Sequence, residues 1–205
     1  MRYLITHSLL NAWVYLLKDN PNETADSEDN RMQEFIKVLN REPTPTNEAM
    51  QRGNDFEELV AKTIHGCPDW ENSWQEAAAK VAKTVQGGLW QYSAKKEIEV
   101  DGREFLLYGR LDAMKEGHIY DIKFSIRYNV GKFVAFTQHP IYMELIPEAT
   151  DFTYLVSDGT NVWHEKYRRD ETMSIAPTIS HFMNWLEAND LMSIYESKWC
   201  AMKKE

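Results

Sequence analysis

Apolar residues recur every three or four positions near the start of the chain. Leu9, Leu10, Trp13, Leu16 and Leu17 would line one face of a helix over 6–17 that Thr6 caps. The helical period returns over 31–39 and stops at the breaker Glu42-Pro43-Thr44-Pro45-Thr46. A stronger helix is predicted over 48–64, with Thr46 as its cap and Phe56, Leu59, Val60 and Ile64 as its buried stripe. Another is predicted over 73–85, closed by Gly87-Gly88. The period then drops to two. Strands are predicted over 92–100, 105–114 and 118–124, joined by Asp101-Gly102 and Glu116-Gly117. A loop over 125–131, a helix over 132–145, a hairpin of 152–157 with 161–167, and closing helices over 175–186 and 191–203 complete the pattern. Strands mixed with helices at this length predict an α/β fold, a central mixed β-sheet flanked by helices, in one domain spanning 1–205.

The middle hairpin concentrates the ionisable groups. With Glu116-Gly117 as the turn, Lys115 faces His118, Met114 faces Ile119, Ala113 faces Tyr120 and Asp112 faces Asp121. Opposed residues bring their Cβ atoms to roughly 5 Å, so the two carboxylates repel unless something offsets them. A divalent cation with oxygen ligands would do so. A wet sheet edge, with Lys123 in an ordinary surface ion pair, is the other reading. Lys123 lies two residues beyond Asp121 and shares its face.

Composition narrows the chemistry. No apolar run approaches a membrane span and no basic-then-apolar leader is visible, so a cytoplasmic protein with no membrane partner is expected. Cys67 and Cys200 are isolated, too few for an iron–sulfur cluster, and no Cys/His set has zinc spacing. No ATP-binding loop occurs. The net charge of −9 runs against a nucleic-acid partner, although part of it sits in the acidic stretch 19–29, which reads as a solvated loop.

Gly109-x-x-Asp112, Asp121-x-Lys123 and Gln138-x-x-x-Tyr142, in that order, resemble the PD-(D/E)XK nuclease superfamily. The similarity is closest to the branch of RecB-type domains, CRISPR-adaptation nucleases and lambda-type phage exonucleases. Gly53 followed four residues later by Glu57 matches the first motif of that branch, and Glu rather than His leans towards the phage group. Without the resemblance, Glu57 and Glu58 simply solvate a helix rim. The likeness spans roughly 5–142, with the core motifs inside 48–145.

The resemblance implies a restriction-endonuclease-like core and a Mg²⁺- or Mn²⁺-dependent DNA nuclease, of phage or prophage exonuclease type. Glu57, Asp112, Asp121 and the backbone carbonyl of Ile122 would be metal ligands. Lys123 would orient or help deprotonate the attacking water, Gln138 would support the lysine or the metal-bound water, and Tyr142 would lie near the substrate strand. Pro140 either kinks the helix carrying these two or starts a new one. The opening also resembles the Ser/Thr-x-Ser-x-Leu start of the branch, where His7 would approach a site; a surface or structural histidine is the plainer reading. DNA is the expected partner, a recombination or helicase protein would be a separate chain, and an oligomer would suit processive degradation. The alternative is a non-catalytic nucleic-acid- or protein-binding module on the same fold.

Overall fold

The computed structural model describes residues 1–18 and 25–201, and side chains outside 25–28 within that span. Strand β1 (Arg2–Thr6) leads into α1 (His7–Leu16), whose cap is Thr6: its hydroxyl accepts the Leu9 N–H at 3.3 Å. Helix α2 (Ala25–Leu39) starts earlier than its periodicity predicts, so 25–29 is helical where a loop was expected; 19–24 lie outside the described residues. Helix α3 (Glu48–Ile64) is capped by Asn47 rather than Thr46, since the Asn47 side chain accepts from Met50 N–H at 2.9 Å. Helix α4 (Gln75–Val85) follows.

Three strands come next: β2 (Leu89–Val100), β3 (Arg103–Lys115) and β4 (His118–Phe124). Both turns between them carry two consecutive positive φ angles, 50° and 73° at Asp101-Gly102, and 53° and 84° at Glu116-Gly117. This is the twist a two-residue hairpin needs, with Gly in the second slot where it costs least. Helix α5 (Gln138–Leu145) is six residues shorter at its start than expected. Pro140 sits in its first turn, where its missing N–H has no partner to lose. The preceding stretch is a run of turns, pinned by the buried carboxylate of Glu165. Glu165 accepts from Tyr128 Oη at 2.6 Å, from the Gly131 and Phe133 amides at 3.2 Å, and from Tyr167. The hairpin β5 (Asp151–Ser157) and β6 (Val162–Arg168) and helices α6 (Ala176–Ala188) and α7 (Met192–Lys198) close the chain.

The protein is α/β, with a mixed six-stranded sheet between helices. Helices α3 and α4 pack on one face of it, against Ala113, Ile122 and Leu155. The other face carries the larger core, in which α1, α2, α5, α6 and α7 cover Ile5, Phe105, Leu107, Leu111, Ile119, Phe152 and Tyr154. Among the described residues no helix is long and apolar enough to cross a membrane.

Strand β3 has an undivided partner on one edge and a divided one on the other. Strand β2 runs antiparallel to it from Val100↔Arg103 to Leu89↔Met114. On the far edge β1 pairs in parallel as far as Thr6↔Tyr108, and β4 pairs antiparallel only from Ala113↔Tyr120. Residues 109–112 therefore lie in a fork, opposite neither strand. The apolar alternation also breaks there. Leu111 belongs to the larger core, yet Ala113 belongs to the smaller one, and on β2 Ala94 and Trp90 divide the same way. Between them, opposite Asp112 in the register, Gln91 takes a left-handed φ of 49°. The register does not shift there, since Trp90↔Ala113 and Tyr92↔Leu111 continue one pairing; what changes across Gln91 is the core that the side chains of both strands meet.

On the core side of α5, His139 is buried, stacked on Tyr167 at 4.0 Å, with Nδ1 3.4 Å from Tyr154 Oη. Burial pulls its pKa from 6.5 down to about 4, so the folded protein keeps it neutral. The unfolded chain protonates first as pH falls, so this contribution is intact above pH ~6.5 and is lost as pH drops towards ~4. Relative to His139→Phe, wild type should lose roughly 2 kcal/mol of stability between pH 7 and pH 5, measured by urea denaturation at both. An equal loss in both proteins would place the titration elsewhere.

Candidate active site in the fork of the sheet

Strand β4 brings two of the expected residues to the fork. Asp121 is buried, at 2% exposure, and its Oδ1 accepts a hydrogen bond from Gln138 Nε2 at the start of α5. Lys123 Nζ lies 2.6 Å from Asp121 Oδ2. Burial works to lower the lysine's pKa, but the carboxylates of Asp121, Asp112 and Glu57 together outweigh it and hold the ammonium above its ordinary value.

Asp112 comes from β3. Its cross-strand pairing with Asp121 is not made as a ladder: the three pairs from Lys115↔His118 to Ala113↔Tyr120 form as expected, and then the strands part. The Ile122 N–H, which a continuing ladder would have occupied, donates instead to Asp112 Oδ2 at 2.7 Å. Asp112 is half-buried, and burial followed by the charge of Asp121 raises its pKa well above the usual carboxylate range. Two acids close together in poorly solvated space are an unbalanced negative charge. All the donor atoms are hard oxygens, the set that suits Mg²⁺ or Mn²⁺ rather than softer metals.

Helix α5 plugs the gap. The Tyr142 hydroxyl donates to the Arg110 carbonyl at 2.8 Å, satisfying a group the fork leaves without a strand partner. Tyr142 is only 1% exposed, and burial raises its pKa. Packed against His7 and Phe152, it braces the fork from inside, and the ring expected near the substrate strand offers almost no surface for direct contact. Gly109 makes that possible, because a Cβ there would stand 2.2 Å from Tyr142 Cε1 and 2.9 Å from Leu145 Cδ1.

Glu57 does not join the two aspartates. Helix α3 packs on the opposite face of the sheet from α5, so Glu57 approaches from the other layer, half-buried, with its Oε1 accepting from Gln91 Nε2 at 3.1 Å. The expected three-carboxylate cluster is corrected to a pair with a third acid nearby: among the described residues, no three His, Cys, Asp or Glu side chains gather to hold a metal ion. Glu57 is close enough to act electrostatically on Asp112 and Lys123. Glu58 is exposed and pairs with Lys62 along the helix.

Two further residues belong to this place: His7, which the resemblance offers beside a plainer structural reading, and Gln91, which the sequence does not single out. His7 opens α1 directly after β1, so the end of that strand delivers it to the fork. Its ring meets Tyr142 edge-on at 5.4 Å, its carbonyl accepts from Thr137 Oγ1, and its Nδ1 is sealed from solvent without a hydrogen-bond partner. Burial lowers its pKa to about 4, with Asp121 opposing and Lys123 assisting. Gln91 is the other; Arg110 Nη2 donates to its side-chain oxygen while its amide holds Glu57.

Several basic residues that could have met phosphate are engaged within the protein. Lys96 bonds the Glu144 carboxylate at 2.6 Å, Arg168 pairs with Asp170, and Arg169 donates to the Ala149, Met143 and Ile146 carbonyls around the end of α5.

No family model matches the chain, and no curated protein matches it. Among solved structures, the crystal structure of SSO0001 is similar with a TM-score of 0.53, over 100% of this chain and 89% of that one, at 14% identity. At that identity the likeness carries the fold alone.

Proposed function

We propose that the protein is a Mg²⁺- or Mn²⁺-dependent nuclease that hydrolyses DNA phosphodiester bonds, of the phage-exonuclease kind. The observation that carries this reading is the pair Asp112–Asp121, crowded in a fork of the sheet with Lys123 and Gln138 bonded to the same aspartate. These residues fall in the order Gly-x-x-Asp, Asp-x-Lys, Gln-x-x-x-Tyr that the sequence shares with such enzymes.

In this reading Asp112 and Asp121 would hold the cation, with the Ile122 backbone carbonyl as a further ligand and the Glu57 carboxylate adding negative charge nearby. The chemistry a bound Mg²⁺ or Mn²⁺ supplies is a more acidic water and partial neutralisation of the scissile phosphate. Gln138 fixes one oxygen of Asp121, so the carboxylate presents a set direction rather than a rotating one. Lys123 places a positive charge where the phosphate gains negative charge in the transition state, and it is a donor to the attacking water. The splayed strands leave Asp112 reachable from solvent, which a closed ladder would not.

Digestion of labelled DNA, linear and circular, single- and double-stranded, with Mg²⁺, Mn²⁺ or EDTA, tests the reading. Cutting that needs the metal supports it, and a preference for linear over circular DNA separates attack at ends from internal cleavage. Failure to cut any of these, together with failure to bind Mn²⁺, overturns it in favour of a binding module.

A further inference from the structure

Glu57 and Arg110 are of opposite charge and both border the fork, yet they do not pair directly. Gln91 stands between them, accepting from Arg110 through its oxygen and donating to Glu57 at 3.1 Å through its nitrogen. A guanidinium bonded straight to the carboxylate would neutralise it and compete with a cation for its lone pairs. An amide spacer orients the carboxylate and leaves it negative, with its second oxygen available. The backbone carries a cost for putting the amide there. Gln91 is exposed and adopts φ 49°, in the left-handed region that favours glycine, inside a strand and opposite Asp112. Strain of this kind collects where the surrounding structure needs a side chain in one place.

We propose that Gln91 is a positioning residue that spaces Arg110 from Glu57 and holds the Glu57 carboxylate beside the Asp112–Asp121 pair, where it strengthens binding of the divalent cation. This rests on the nuclease reading and adds to it the reach of the third acid, which its own helix cannot supply from the far face of the sheet. Partners that orient a ligating carboxylate are worth about 10- to 100-fold in metal affinity.

The test is calorimetric titration of Mn²⁺ into wild type, Gln91→Gly, Gln91→Asn, Glu57→Gln and the Gln91→Gly/Glu57→Gln double variant, with the metal-free melting temperature of each. Gly and Asn both tolerate the left-handed backbone, and neither carries an amide as far as Glu57. The expected result is Mn²⁺ affinity lowered about tenfold in both Gln91 variants, a metal-free melting temperature for Gln91→Gly at or above that of wild type, and no further loss in the double variant. A merely structural role would lower the melting temperature and leave the affinity alone. Wild-type affinity in Gln91→Gly, with affinity reduced in Glu57→Gln, overturns the proposal and leaves the nuclease reading standing. Additive losses in the double variant also overturn it, because Gln91 would then act other than through Glu57. No Mn²⁺ binding by wild type overturns both.

Discussion

Asp112→Asn should make the metal-free protein more stable while abolishing the proposed DNA cleavage. The carboxylate is held beside Asp121 in poorly solvated space, and its raised pKa records what the ionised form costs the fold. An asparagine keeps the oxygen that accepts the Ile122 N–H and removes the charge. Relief of a strained functional site of this sort is worth about 0.5–2 kcal/mol. The sign with pH follows from the direction of the shift. The unfolded acid ionises near its ordinary value of 3.8 and the folded one only at higher pH, so the penalty is absent below ~3.8 and complete above the folded pKa. The advantage of Asp112→Asn in thermal denaturation should accordingly grow with pH across that window. DNA cleavage should fall on the order of 10³-fold or more, and Mn²⁺ should no longer raise the melting temperature. A variant less stable than wild type at pH 8 would mean that Lys123 and the backbone already balance the charge.

The second large effect is expected at Gly109. An added methyl would overlap the Tyr142 ring at 2.2 Å, and that ring cannot swing away because its hydroxyl is fixed on Arg110 and its faces are enclosed by His7 and Phe152. Helix α5 must shift instead. Overpacking costs about 1–3 kcal/mol and at times more, so Gly109→Ala should melt well below wild type. Because Gln138 rides on the same helix and holds Asp121, a displacement near 1 Å should also cost about 100-fold in cleavage rate. Adding Tyr142→Leu, which removes the ring, should return part of the stability and little of the activity. Gly109→Ala with wild-type stability would show that the backbone at the fork yields more readily than the packing implies.

The comparison of sequence with structure turns on range. The hairpin register from Lys115↔His118 to Ala113↔Tyr120 is legible because Glu116-Gly117 sets it locally, and the strands to either side declare themselves by alternation. What the sequence conceals is the fork. It arises because β1, nearly a hundred residues upstream, takes half of one edge of β3, and five residues starting at Arg2 give too short a pattern to announce that. His7 is legible as a site neighbour only through the resemblance of the chain's opening; its spacing alone gives a helix start, and the pairing of β1 with β3 is what carries it to the fork. Tyr142 shares a helix turn with Gln138, as its spacing says, but burial decides that it braces the fork and offers almost no surface for direct contact, and spacing carries no burial. Gln91 shows no signal in its own sequence context; only its left-handed backbone marks it. The three carboxylates expected together divide into a pair and an outlier because α3 and α5 lie on opposite faces of the sheet, a choice made by the apolar stripes of Phe56, Leu59 and Val60 and of Ile141 and Leu145 in separate cores.

The most direct test of the central claim is the single-turnover cleavage rate of end-labelled DNA at saturating Mn²⁺, for wild type and for Lys123→Met. Methionine keeps much of the buried stem and removes the ammonium. The account predicts cleavage by wild type that EDTA abolishes, and a loss of at least roughly 10²-fold in a folded variant that still binds Mn²⁺. Cleavage by Lys123→Met at the wild-type rate, or a wild type that binds Mn²⁺ and leaves every DNA intact, would contradict it.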